Sequence, residues 1–195
     1  MFYLSNYTTY KAEFALSYSI INLVCGFISS LAGGLISDKF GKGKPMLKAW
    51  ICIAGNMIAM PLFVASVMTT NNFWLSISFT ALRFLFGEPW RSPSVTMMQN
   101  SSAPEKFGNL VSAYQFYQKM SSVVAALIIG ALFKRFDVVS DPKIIGYILA
   151  FVGGIAYTGS AIAFYFAGKN YIAFKRNLKY RSFFTFNRVK RGYNK

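Results

Sequence analysis

Met46-Leu47-Lys48-Ala49-Trp50-Ile51-Cys52-Ile53-Ala54-Gly55-Asn56-Met57-Ile58-Ala59-Met60-Pro61-Leu62-Phe63-Val64-Ala65-Ser66-Val67-Met68 is an apolar run whose one charge, Lys48, lies at its start. As a helix rising about 1.5 Å per residue, a run of this kind crosses a hydrocarbon layer of about 30 Å. The same reading applies on both sides of it. Apolar runs occupy Ala12–Ser37, Phe73–Gln99, Phe107–Phe133 and Ile144–Ala167. Glycine, lysine and proline interrupt them at Gly41-Lys42-Gly43-Lys44-Pro45, and polar residues at Thr69-Thr70-Asn71-Asn72. Further breaks fall at Asn100-Ser101-Ser102-Ala103-Pro104-Glu105 and between Asp137 and Pro142. These are turn and loop compositions. The expected fold is an all-α integral membrane bundle of five transmembrane helices over residues 12–168. Residues 1–11 precede it as a lumenal or extracellular segment, and residues 169–195 follow as a basic, aromatic tail.

Composition agrees. Only 14% of the residues are charged, against about 25% in soluble domains. The charge that exists gathers between the apolar runs, as bilayer-spanning segments require. There is no histidine, and the two cysteines, Cys25 and Cys52, fall inside predicted helices as small apolar residues. A zinc site or a histidine-based triad has no ligands or base, so no metal, no cofactor and no enzyme activity is expected. No basic segment followed by an apolar one opens the chain, so no signal peptide is read.

The excess of basic residues orients the bundle. With the loop after Ser37 in the cytoplasm, that side holds Lys39, Lys42, Lys44, Lys48, Lys106 and nine bases after Gly168. The other side holds Lys11, Lys134, Arg135 and Lys143. The N-terminus is therefore expected to be lumenal or extracellular and the C-terminus cytoplasmic. Asn6-Tyr7-Thr8, a glycosylation triplet of low specificity, lies on the matching side. The sequence does not distinguish endolysosomal, plasma and mitochondrial membranes.

Gly34-Leu35-Ile36-Ser37-Asp38-Lys39-Phe40-Gly41-Lys42-Gly43-Lys44 is the sharpest local pattern. Gly33 and Gly34 suit close approach of another helix. Asp38, at a helix end, can pair with a base or accept from a helix N-terminus. Gly41 and Gly43 permit a tight reversal, and the lysines hold the loop at an anionic surface. The string resembles the signature loop of the major facilitator superfamily, G-x-L-x-D-R-x-G-R-K, with Gly34, Asp38, Lys39, Gly41 and Lys42 at matching positions. In that family the loop is a conformational latch. Leu82-Arg83-Phe84-Leu85-Phe86-Gly87-Glu88-Pro89 is similar to the family's R-x-x-x-G motif, and Pro104-Glu105-Lys106-Phe107-Gly108-Asn109 to its P-x-x-x-R-[GA]-x loop, with Lys or Phe where Arg is usual. The Gly-Glu pair and the run Ser37-Asp38-Lys39-Phe40-Gly41 look most like spinster-type members from protists.

The resemblance implies a fold of two six-helix repeats. Five helices beginning outside correspond to one repeat without its first helix. Either the eighth to twelfth helices with a C-terminal tail or the second to sixth with a central linker fits this topology. The first is preferred.

Ionisable groups inside a span are costly and mark functional or bundle-facing positions. Arg83 is ten residues into its span and Lys119 twelve residues into its own, about 15 Å and 18 Å deep. Glu88 is the one acid well inside a span and is the expected partner of Arg83 or Lys119. Gln115, Gln118 and Lys119 share a helix face. Arg83, Glu88, Gln115 and Lys119 are thus candidates to line a solute path, with the two bases favouring an anionic or zwitterionic headgroup. The bland alternative is interhelical pairing without transport. Pro89 and Pro93 are expected to kink this span.

The tail carries nine bases and aromatics including Tyr171, Phe174, Tyr180, Phe183, Phe184 and Phe186. Such a mixture suits anionic lipid at a membrane surface, in preference to nucleic acid. The function expected is solute transport by alternating access together with a missing or separate half. The alternative is a transporter-derived structural subunit of a larger membrane complex. Both imply a partner half or subunit beyond the lipid bilayer.

Overall fold

In the computed structural model every described element is helical. It describes residues 2–41, 44–102, 104–136 and 143–192, and side chains as far as residue 176 apart from 4, 5, 104 and 143. In chain order the α-helices are α1 (Phe2–Asn6), α2 (Lys11–Phe40), α3 (Met46–Met68), α4 (Phe73–Gly87), α5 (Arg91–Gln99), α6 (Phe107–Arg135) and α7 (Lys143–Gly192). A helix satisfies its own backbone hydrogen bonds, which is what apolar sequence needs in a medium that offers none.

Four helical segments are long and apolar enough to cross a membrane: Thr8–Phe40, Met46–Met68, Phe107–Arg135 and Ile144–Arg176. Of the five runs expected to span, the third is not a single long helix. Phe73–Gln99 is not one helix but α4 and α5, separated at Glu88-Pro89-Trp90. Its longer piece, α4, has 15 residues, about 22 Å, which is short of a hydrocarbon core. The break follows from Pro89, which has no N–H to give and whose ring clashes with the preceding turn. Pro93 behaves differently from its expected kink. It sits in the first turn of α5, where a missing N–H leaves no helical bond unmade.

The bundle is organised around α3. It packs along α7 on one side and along α4 on another, while α2 lies across α4 and α5. At one end Phe2, Tyr7, Val67, Phe73, Ile77, Ile145 and Ile148 form a buried cluster. The segment 1–11 is therefore not a free extension. It folds back as α1, and the Tyr3 hydroxyl lies 2.6 Å from Thr80 Oγ1 and 2.9 Å from Ser76 Oγ. Asn6 Nδ2 donates to the Phe2 carbonyl within α1 at 3.1 Å. At the other end Ala49, Cys52, Met97 and Tyr171 are buried together.

The helix does not end at residue 168. α7 runs through it for 50 residues, about 75 Å, so the basic segment as far as Gly192 continues the helix. Phe183, Phe184 and Phe186 lie beyond the described side chains.

Candidate functional site

Arg83 stands on α4 where that helix faces both α3 and α7. Its Nε donates to the Tyr157 hydroxyl at 2.8 Å. Its guanidinium carbon lies 5.1 Å from the Phe63 ring centre and 5.0 Å from that of Phe84. An aromatic face attracts a cation and does so more strongly where water is excluded. No acidic side chain pairs with Arg83 among the described residues. A guanidinium has five N–H donors, and only the one on Nε has a hydrogen-bond partner among the described residues.

Three residues, just under one turn, further along α7, Ser160 Oγ accepts from Asn56 Nδ2 at 2.9 Å. Asn56 is buried on α3. Asn56, Tyr157 and Ser160, with Trp90, Ala156 and Phe164, line an open-sided cavity of about 220 Å³. The cavity therefore joins a hydroxyl held by Arg83 to a second polar pair. It can offer hydrogen bonds to a polar headgroup and apolar contact to a chain.

The expected polar seam is not assembled. Glu88 caps α4 and pairs with Arg91, its Oε2 2.5 Å from Arg91 Nε, rather than with Arg83 or Lys119. That approach is off the N–H direction, so Oε2 is buried without a hydrogen bond. The pairing is local because the break places Arg91 three residues on, at the start of α5. Gln115 and Lys119 are exposed on α6, which buries no residue. Arg83 and Glu88 stand at the packed part of the bundle, and Gln115 and Lys119 do not join them.

The glycine-and-lysine pattern lies at the broken helix. A Cβ on Gly33 would collide with the Pro89 carbonyl, and one on Gly34 would lie 2.7 Å from Ser92 Oγ. The close approach expected of these glycines is thus made by α2 to the junction of α4 and α5. Asp38 is in the last turn of α2, and its Oδ1 is 3.9 Å from Nζ of Lys48 in the first turn of α3. Lys39 lies 5.6 Å from the centre of the neighbouring Phe40 ring. The reversal does not use a glycine conformation at Gly41, which has φ −79° and ψ −8° and closes α2 with a bond to the Ser37 carbonyl at 2.9 Å. Lys42 and Gly43 lie outside the described residues.

Tyr157 and Ser160 were not singled out from sequence. A depth signal existed: Tyr157 is 13 residues beyond Ile144, about 20 Å in, comparable with Arg83. Comparison with protein-family models, curated proteins and solved structures returns no match.

Proposed function

We propose that this chain spans a membrane with helices of one major-facilitator-type repeat and, together with further membrane helices, moves a small or amphiphilic solute. In this reading α4 and α5 together make the third of five crossings, broken at Pro89. The basic residues put the C-terminus in the cytoplasm, with the continuation of α7 at anionic lipid. Transporters of this kind bind near mid-membrane and use broken helices there.

The observation that carries the reading is Arg83, a cation at mid-span depth with no carboxylate on it among the described residues. Its placement by Tyr157, Phe63 and Phe84 leaves donors for an anionic group of a solute. The Gly33–Pro89 contact supports the latch role of residues 34–42, because it joins the motif to the one helix that is broken.

The test is uptake of a labelled lysophospholipid by vesicles containing the chain with its native partner. Uptake that Arg83→Ala abolishes and Arg83→Lys partly restores is the expected result. A complex that carries no solute across the vesicle wall favours the second reading, a structural subunit. That reading draws on α6, whose residues from Gln115 to Ile128 are exposed on every side, as in a chain built to be completed by others. Migration in a large complex of fixed composition on a native gel, without transport, is its signature.

A further inference from the structure

From Gln115 to Ile128 every residue of α6 is exposed, through almost four turns. The helix is attached only near its ends. Tyr114 shares a cavity with Met97, Phe164 and Tyr171 at one end, and Leu132 and Phe133 pack on the Phe2–Ile145 cluster at the other. A membrane helix facing lipid on one side is ordinary. A helix bare all round, in the part that carries its polar residues, is not.

The polar residues are in register. Gln115, Gln118, Lys119 and Ser122 are spaced i, i+3, i+4 and i+7 and form one stripe, with Tyr117 and Val124 opposite. The Ser122 hydroxyl is used within the helix, donating to the Lys119 carbonyl at 2.7 Å. Neither glutamine nor Lys119 has a side-chain partner among the described residues. Lys119 is about 18 Å from the start of α6 and about 24 Å from its end. With this helix centred on a hydrocarbon core of about 30 Å, it lies about 11 Å inside the nearer edge, farther than its side chain reaches to lipid phosphate. A cation at this depth requires an opposite charge or water.

Among the described residues no carboxylate without a base partner lies at mid-helix depth, so a second copy does not supply one there. Asp38 is paired with Lys48 and Glu88 with Arg91, while Glu13 is in the first turn of α2. Glu105 precedes α6, and Asp137 and Asp141 follow it in sequence.

We propose that the Gln115–Gln118–Lys119–Ser122 face of α6 seats a transmembrane helix of a different protein, one bearing an aspartate or glutamate near mid-membrane. The two glutamines flank the ion pair with amide hydrogen bonds, and Ser122 lets the backbones approach. This inference rests on the reading that the chain spans the bilayer. It does not rest on transport.

The test uses the full chain in its native membranes, with a photo-crosslinking residue replacing Gln115 or Ser122, and Tyr117 or Val124 as controls. Resistance to alkaline carbonate extraction checks the membrane reading separately. The expected result is one adduct, formed from the polar stripe and not from the controls, to a spanning segment that contains an acid. Lys119→Met lowers its yield about tenfold, as loss of an interhelical polar contact of about 1–2 kcal/mol requires. Lys119→Glu combined with the partner's acid changed to Lys restores it. Adducts to lipid alone, or to a second copy of the chain, overturn the proposal. So does free labelling of cysteines at 115 and 122 by a water-soluble thiol reagent, which marks an aqueous path and leaves the transport reading standing.

Discussion

The α3–α7 pair and the helix α6 are alike in composition and opposite in surroundings. Each consists of helix long and apolar enough to cross a membrane, with a few polar residues at depth. In the pair, the polar residues meet partners from within the chain: Asn56 with Ser160, and Arg83 of the adjoining α4 with Tyr157. In α6, Gln115, Gln118 and Lys119 meet none among the described residues. Small residues make the difference possible. Gly153 admits the Phe63 ring and Gly168 admits Ala49 and Met46, so α3 and α7 come close enough for short polar side chains to touch. The lesson is that a deep polar residue does not by itself mark a solute path. It marks a helix contact, and the contact can be inside the chain or outside it.

The comparison can be broken at its tightest point. Gly33→Leu drives a side chain into the Pro89 carbonyl, so it should cost about 3 kcal/mol and lower the melting temperature of the detergent-solubilised chain by about 10 °C. Scanning fluorimetry reads this directly, and an unchanged melting point refutes the packing of α2 on the broken helix. A smaller loss, about 1–2 kcal/mol, is expected for Tyr157→Phe, which leaves the Arg83 Nε–H without its acceptor. The cycle built from Asn56→Leu and Ser160→Ala should give a coupling of about 0.6 kcal/mol, the usual size of an interhelical hydrogen bond in membranes. A coupling of zero would mean the two residues do not meet. Asp38→Asn should change stability by about 0.5 kcal/mol or less, because Asp38 is largely exposed and its lysine is 3.9 Å away. The sharpest contrast is with α6. Lys119→Leu, at the same kind of depth as Arg83, should leave the isolated chain's melting point unchanged within about 0.5 kcal/mol. A large destabilisation there would show that Lys119 is held within the chain after all.

Much of this was legible from sequence because it depends on local rules. Four of the five expected spans correspond to helices long and apolar enough to cross a membrane, since a long uncharged run satisfies its backbone only as a helix. Pro89 announced a disturbance, but its size depended on context. Pro61 lies inside α3 without breaking it, whereas at Pro89 the chain separates into two helices. There the Gly33–Gly34 face of α2 receives the Pro89 carbonyl and Ser92. The partners of the ionisable residues were not legible from spacing. Glu88 goes to Arg91, three residues on, and Lys119 is exposed on α6 with no ion pair among the described residues.

The sequence by itself determined helical class, apolar length and the places where the long apolar helices end. These follow from hydrogen bonding and hydropathy along a single segment. Only the tertiary structure decided that the third span is broken, that residues 2–10 fold back into the bundle, that Arg83 rests on Tyr157, and that α6 stands bare. Each of these is a contact between segments far apart in the chain. In an apolar medium almost any face can turn inward, so hydropathy does not choose among them. Shape does, through the few positions where a glycine or a proline lets two backbones meet.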